Sequence, residues 1–397
     1  MKNNIFVFVV CGVKEHIDTL HFSIKCLMKF TKFQIFVVTD VERNEIEIIH
    51  HKIIDIKTPP NYNHHQASIF LKTGLHKFLP KGNNYCYLDS DVIALSAFCD
   101  QIFDLFIAPI RFAPDHCKIQ KFSPHAVNCG CSIKWSKDRD IFNTAIKEMV
   151  NTNNEKIVDH YLIDKQKELQ FELELIKKTR IKKIFIGFKY FISFSKFKLN
   201  QTFFFDKKNR VWHLSSGEKI FYEFNVTKIE TVTGFRYSRI KQQWLNKDGI
   251  NIWDDHCNHL AQFIFNTFNI KIRKPNWQHW NGGVFLFNDL SYKFLESWHL
   301  KTLKIFELSD WKTRDQGTLI ATAWEFNLSC QPVLDKKWNF IADFQNNGLV
   351  LDSASGGISD NNLNNIYHPI FVHVYHNWGN TEWSIWKWIM NKIDILN

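Results

Sequence analysis

Tyr85-Cys86-Tyr87-Leu88-Asp89-Ser90-Asp91-Val92-Ile93 sets two carboxylates, one residue apart, between two apolar runs. In an extended chain alternate side chains share a face, so Asp89 and Asp91 project to the same side. Carboxylates that close repel unless a proton or a cation lies between them. At the end of a buried strand they suit a hard divalent ion that keeps room for phosphate oxygens, as a bound nucleoside diphosphate requires. A pair of loop aspartates after a strand would share the Asp-x-Asp spacing, but it would not need the apolar frame on both sides.

The chain before this segment alternates strand and helix. Residues 5–10 read as a buried strand ended by Cys11-Gly12, and Leu20, Ile24, Leu27 and Met28 have helical spacing. Residues 34–39 read as a second strand closing on Asp40, and 46–56 as a third ahead of Pro59-Pro60. A helix over 67–79, carrying Lys72, is stopped by Pro80 and Gly82 and feeds the Asp89 strand. This order predicts an α/β layer with a largely parallel sheet. Ligands of such sheets lie beyond the carboxyl ends of the strands, where Cys11, Gly12, Asp40, Asp89 and Ser90 fall. Neither a Gly-x-Gly-x-x-Gly turn nor a Walker loop is present, which argues against dinucleotide oxidoreductases and P-loop enzymes.

The chain has 397 residues, 45% hydrophobic and 15% aromatic, with a formal net charge of +10. Its 14 Trp and 37 Phe can fill a core or provide platforms for sugar rings, and composition does not separate the two. Nine scattered cysteines form no paired framework; Cys129 and Cys131 are too close for an easy disulfide, and no second cluster completes a zinc site on the sequence alone. Reduced thiols in a cytoplasmic protein are the expectation. The apolar start lacks a cleavage site and is followed by Lys14, Glu15 and His16, so it reads as a strand rather than a leader. No run reaches the roughly 20 apolar residues of a membrane span.

Residues 136–274 interrupt the α/β pattern. Helical spacing over 159–194 puts Ile181, Ile184, Phe185, Phe188, Phe191 and Ile192 on one arc, and small hairpins are expected over 203–223 around the turns 207–209 and 215–217. A further helix is expected over 255–268. Residues 171–200 carry eight Lys or Arg against Glu172 and Glu174. A solvated basic face or a peripheral contact at the inner membrane surface fits this segment; no nucleic-acid recognition motif accompanies it, and no nucleic acid is expected. The division predicted is therefore 1–135, an insertion over 136–274, and 275–397.

Three more motifs follow the insertion. His279-Trp280-Asn281-Gly282-Gly283 is a glycine corner leading into an apolar strand, where a ligand can approach the backbone. Arg314-Asp315-Gln316 opens a predicted helix, and Asp315 there is also what a helix N-terminus favours. Phe371-Val372-His373-Val374-Tyr375-His376-Asn377-Trp378-Gly379 runs from a strand into a turn. Either histidine is compatible with a core position, and a neutral imidazole is also a good third ligand for a manganese-like ion.

The Tyr87–Leu95 stretch YLDSDVIAL resembles the donor-site motif of GT-A glycosyltransferases, which implies a Rossmann-like nucleotide-diphospho-sugar transferase fold with a mixed sheet. The order Asp-x-Asp, Asn-x-Gly-Val, Asp-Gln, His-x-x-Gly is similar to that of glycosyltransferase family 8. Thr381-Glu382-Trp383 stands where that family has Lys-Pro-Trp, so its diphosphate-contacting lysine has no counterpart. The resemblance covers about 1–135 and 275–390. It implies that Asp89, Asp91 and His376 hold Mn2+ or Mg2+, with a His376 ring nitrogen about 3–5 Å from the Asp91 carboxylate. Asp315 and Gln316 would lie near the anomeric carbon. Cys11, Gly12, Asp40, Lys72, Ser90, His279, Asn281, Gly282, Gly283 and Arg314 would line the donor or acceptor site. A nucleotide-sugar donor, a glycan or lipid-linked acceptor and retention of configuration are what this likeness favours. If the enzyme inverts, Asp315 or His279 is the candidate base. The alternatives are a non-catalytic glycan binder on a transferase fold, or a basic nucleic-acid or membrane-surface binding protein acting through 171–200.

Overall fold

The computed structural model describes every residue except 1, 51, 154–159, 209–210, 219–225, 239–242, 313–314, 346–348, 353–356, 361–364 and 395–397. The chain divides into two compact units, Met1–Cys129 with His256–Asn397, and Gly130–Asp255.

The first unit is mixed α/β. Its main sheet runs, in spatial order, Ile53–Asp55, Gln34–Thr39, Asn4–Val9, Asn84–Leu88, Gln278–Phe287, Arg111–Lys118. The first four strands are parallel, and Gln278–Phe287 is antiparallel to both its neighbours. Strand alternation divides the core into two faces. Ile5, Val7, Val9, Tyr85, Tyr87, Phe285 and Phe287 pack on one side with Leu71, Trp298 and Leu319. Phe6, Phe8, Val10, Cys86, Leu88, Val284 and Leu286 pack on the other with Ile17, Leu20, Ile24 and Leu27. Both faces are covered, which is why these strands read as near-continuous apolar runs.

On the first face lie the helices His64–Thr73, Tyr292–Ile305 and Asp315–Glu325. The first is started by Asn63, whose side chain accepts from Gln66 N at 2.8 Å while Gln66 Oε1 accepts from Asn63 N at 3.1 Å. It stops at Gly74, so the predicted 67–79 helix is in fact two, His64–Thr73 and Leu75–Phe78. The third strand is also shorter than predicted. Ile49 N donates to His21 Nε2 and His50 Nε2 bonds Ile35 O, which takes 46–50 out of the ladder, and the strand is Ile53–Asp55.

A small second sheet, Phe340–Ile341, Phe371–His373 and Val92–Ala94, starts directly after Asp91. Phe371–His373 pairs antiparallel with Val92–Ala94, setting His373 opposite Val92, and Val374 N donates to Asp91 O at 3.1 Å. This register fixes which C-terminal histidine reaches the Asp-x-Asp turn.

His299, 2% exposed on Tyr292–Ile305, sits 2.8 Å from Thr73 Oγ1. Burial first, then the charges of Lys77 and His76, press its pKa down to about 4 from 6.5. A histidine with a lowered folded pKa contributes stability that is complete above its unfolded pKa and disappears as pH falls. The window is therefore about pH 6.5 to 4, and the loss is at most about 3 kcal/mol. Urea unfolding at several pH values should show this acid slope in the wild type and a flatter one in His299→Gln.

The second unit contains the helices Cys131–Asn153, His160–Lys178, Arg180–Ile192 and Val226–Thr233, and two small antiparallel sheets. Lys196–Lys198, Phe203–Asp206 and Val211–Leu214 form one sheet, whose apolar side (Phe197, Phe203, Phe205, Trp212, Leu214) packs with Leu169, Ile186 and Tyr190. The expected turn residue Asn209 and the end of the hairpin region, 219–223, lie outside the described residues. The unit ends at Asp255, so His259–Phe268 belongs to the core, where Leu260 and Ile264 are buried, and not to the predicted 136–274 insertion.

Candidate active site

The Asn84–Leu88 strand delivers its carboxylates as its parity dictates. Tyr85 and Tyr87 face the helix-covered side, and Asp89 follows them by two residues, accepting from Tyr87 Oη at 2.5 Å. Asp89 N donates to Gly283 O and Val92 N to Asp89 O, while Ser23 Oγ donates to Ser90 O, so the backbone of the turn is held on three sides.

Lys72 projects from the covering helix to the same place. Its Nζ lies 3.1 Å from Asp89 Oδ1, 2.9 Å from Asp315 Oδ2 and 5.2 Å from the Tyr87 ring centre. Burial works against the ammonium, but Asp315 and Asp89 outweigh it and raise its pKa. Asp89 is shifted up by burial, with Lys72 opposing and Asp91 adding to the shift. Asp315 is fixed through its backbone as well, since its carbonyl accepts from Trp298 Nε1 at 2.9 Å.

The histidine beside this pair is His373, not the expected His376. His373 Nε2 is 3.1 Å from Asp91 Oδ1, and Asp89, Asp91 and His373 offer ligand atoms all within 4.8 Å of one another. His376 lies beyond the strand in an exposed turn, its ring 4.2 Å from that of Tyr375. The turn is anchored elsewhere, because Asp343 accepts from Tyr375 N, Asn377 N and Asn377 Nδ2.

A chain of amides fixes the proton on His373. Asp115, from Arg111–Lys118, is an acceptor only, so Asn281 Nδ2 donates to its Oδ2 at 2.9 Å. Asn281 Oδ1 then accepts from Gly283 N and from Asn339 Nδ2, each at 2.8 Å. Asn339 Oδ1 is left as acceptor for His373 Nδ1 at 3.1 Å. With Nδ1 carrying hydrogen, Nε2 turns toward Asp91 either protonated or with a lone pair. Burial disfavours the imidazolium, but Asp91 and Asp89 raise the His373 pKa. Asp91 Oδ1 is buried and, despite its 3.1 Å approach to Nε2, makes no hydrogen bond among the described residues. An imidazole nitrogen and an orphaned carboxylate oxygen facing one point, with a second carboxylate alongside, fit a divalent cation such as Mn2+ or Mg2+.

Asp115 itself is pulled well below the usual carboxylate range; burial opposes this, and His279, His116 and Asn281 overcome it. Gln316 ties the helix start to the same group: its Nε2 reaches Asp115 Oδ2 at 3.3 Å and Trp280 O, while Oε1 accepts from Gly282 N at 3.0 Å. Gly282 and Gly283 are required by proximity. A Cβ on Gly282 would stand 3.1–3.3 Å from Gln316, Asp315 and Lys72, and one on Gly283 would stand 2.6 Å from His373 Cε1. Gly283→Ala should therefore push the imidazole off its position, and titration with Mn2+ should show about a 10–100-fold weaker affinity.

Asp89, Asp91, Lys72, Asn281, Gly282, Gly283, Asp315 and Gln316 thus converge, with Ser90 in the turn. His279 is fully buried, 3.8 Å from Asp115 and with its ring tilted against that of Phe122 at 4.8 Å, and burial lowers its pKa. Cys11, Gly12 and Asp40 form a separate group at the ends of the first two strands. Gly12 N donates to Asn44 Oδ1, and its φ of +105° with His64 against it leaves no space for a side chain. Asp40 Oδ2 is taken by Thr58 N, Thr58 Oγ1 and Arg43 Nε. Arg314 lies outside the described residues. Asp115 and Asn339 were missed from sequence. The available hint was a charged residue inside the apolar strand run Phe112-Ala113-Pro114-Asp115.

No family model and no curated protein matches the chain. Among solved structures it is similar to the bifunctional glycosyltransferase WbbM in apo form (9% identity, TM-score 0.40), covering 99% of this chain and 49% of that one. It therefore spans about half the WbbM chain. It is also similar to mouse xyloside xylosyltransferase 1 in apo form (11%, TM-score 0.36, 97% and 99% covered). A third is the galactosyltransferase LgtC in complex with donor and acceptor sugar analogues (10%, TM-score 0.41, 99% and 96% covered).

Proposed function

We propose that the chain is a metal-dependent GT-A glycosyltransferase that moves a sugar from a nucleotide-sugar, preferably a UDP-sugar, to a glycan or lipid-linked acceptor. The observation that carries this is the convergence of Asp89, Asp91 and His373 at the carboxyl end of a central parallel strand, against Asp315, Gln316 and Gly282. Asp89, Asp91 and His373 would hold Mn2+ or Mg2+, which supplies Lewis-acid neutralisation of the leaving diphosphate. Lys72 pairs with both Asp89 and Asp315 and fixes their positions. Gln316 and the Asn281–Asp115 bond fix the glycine corner beside the carboxylates. Cys11, Gly12 and the loop ordered by Asp40 are assigned to the nucleotide side.

Asp315 is paired with Lys72 and His279 is buried, so neither stands ready as the general base that inversion requires. This favours retention. The test is thermal shift with a panel of sugar nucleotides, with and without Mn2+. A donor should stabilise the protein only with the metal and be hydrolysed slowly without acceptor. Stabilisation by free glycan with no response to any sugar nucleotide would select the non-catalytic reading instead.

For the acceptor, the favoured site of work is an anionic membrane surface. Among its described residues Arg180–Ile192 buries none; Ile181, Ile184, Phe185, Phe188 and Phe191 are exposed by 64% or more, and Lys177, Lys178, Lys182 and Lys183 are exposed beside them. An apolar arc with a lysine border suits shallow insertion next to acidic lipid, with about 1 kcal/mol per surface lysine. No described helix is long and apolar enough to cross a membrane. Sedimentation with phosphatidylserine vesicles should pull down the wild type at low salt, less at high salt, and a Lys177/178/182/183→Gln variant poorly; equal partitioning of the two proteins would remove this surface from the model.

A further inference from the structure

The sequence offers Cys129-Gly130-Cys131 without a partner cluster, but the fold supplies one. Cys257 and His259 come back to Cys129 across 128 positions of chain. The Cys129 and Cys257 sulfurs are 3.7 Å apart, Cys257 Sγ is 3.2 Å from His259 Nδ1, and the three ligand atoms lie within 4.8 Å of one another. A sulfur separation of 3.7 Å is far beyond the roughly 2.05 Å of a disulfide. It matches the edge of a tetrahedron with metal–sulfur bonds of about 2.3 Å, which is about 3.8 Å; the sulfur–nitrogen edge would be about 3.6 Å.

The surroundings are built around these atoms. Cys257 is 2% exposed, and its N–H donates to Gln120 O. Ser123 Oγ accepts from Leu260 N at 2.9 Å and lies 3.0 Å from Cys257 Sγ, within reach for its O–H to donate once that sulfur is a thiolate. A hydroxyl donating to a cysteine sulfur is the outer-shell contact that supports a metal thiolate. Cys257 also stands just before the N-terminus of His259–Phe268, where the helix dipole favours a negatively charged sulfur.

We propose that Cys129, Cys257 and His259 bind a zinc ion as three of its tetrahedral ligands. Sulfur and imidazole donors select zinc, in contrast to the two carboxylates and one imidazole at Asp91, which select a harder ion. On binding, the thiols release their protons to solvent. The chain leaves the core unit after Cys129 and re-enters it at His256. The ion would thus tie the exit to the return within the core.

The test uses the full chain, with zinc counted by plasma mass spectrometry and the site read optically after exchange with Co2+. The wild type should retain about one zinc per chain and show sulfur-to-cobalt charge-transfer absorption. Cys129→Ser/Cys257→Ser should lose both, whereas Cys330→Ser and Asp91→Asn should keep both. A wild type that binds no zinc and gives no charge-transfer band with Co2+ overturns the proposal, as does zinc retained equally by the double serine variant. Should that variant fail to fold, the wild-type cobalt spectrum decides, because only thiolate ligation produces the band.

Discussion

Asp91→Asn is expected to lower sugar-transfer turnover on the order of 10³-fold and to abolish the Mn2+-dependent thermal shift. Its Oδ1 faces His373 Nε2 at 3.1 Å, so the amide keeps the shape of the contact and removes the negative charge. His373→Ala should give a loss of the same order. His376→Ala should leave both the turnover and the metal response near wild type, because its ring lies in the exposed turn past the strand. Steady-state kinetics over a Mn2+ series separates the three variants; equal losses at His373 and His376 would return the third ligand to the turn.

Lys72→Met is expected to be the most damaging change to the fold at this site. Lys72 is 9% exposed and is the ammonium shared by Asp89 and Asp315. Removing it leaves two desolvated carboxylates unpaired, a loss of about 3–5 kcal/mol by the usual cost of breaking a buried pair. Adding Asp315→Asn should recover a large part of that stability, since one of the two stranded charges is gone, but it should not recover turnover. Urea midpoints read the first effect and sugar transfer the second. If the single variant is as stable as wild type, the pairing of Lys72 is incidental.

The sheet and the Asp-x-Asp turn were legible because strand parity is written in the residues. Tyr85, Tyr87 and Asp89 alternate with Cys86 and Leu88, and the apolar runs show strands covered on both faces. The third ligand was not, because two histidines three residues apart fit the same local pattern. Only the pairing of His373 with Val92 distinguishes them, and that register is a long-range fact. Asp115 and Asn339 act by hydrogen bonds to residues far along the chain, so no local pattern marks them. The Cys257-Asn258-His259 pair was hidden for the same reason. On the exposed arc of 181–192 the periodicity was readable, but periodicity does not say whether an apolar stripe is covered. The fold covers the opposite side instead, through Ile186 and Tyr190.

The antiparallel strand Gln278–Phe287 lies between Asn84–Leu88 and Arg111–Lys118, both made long before it. During synthesis the tyrosine-bearing edge of Asn84–Leu88 waits for about 200 further residues, or about 10–40 s at ordinary elongation rates. For that interval the nascent chain carries four adjoining strands of the six with Asn84–Leu88 as an unpaired edge, a surface that joins readily to another chain. Fragments cut before Phe287 should accordingly collect in inclusion bodies, and the intact protein should depend on chaperones that shield a growing chain more than its finished core would suggest.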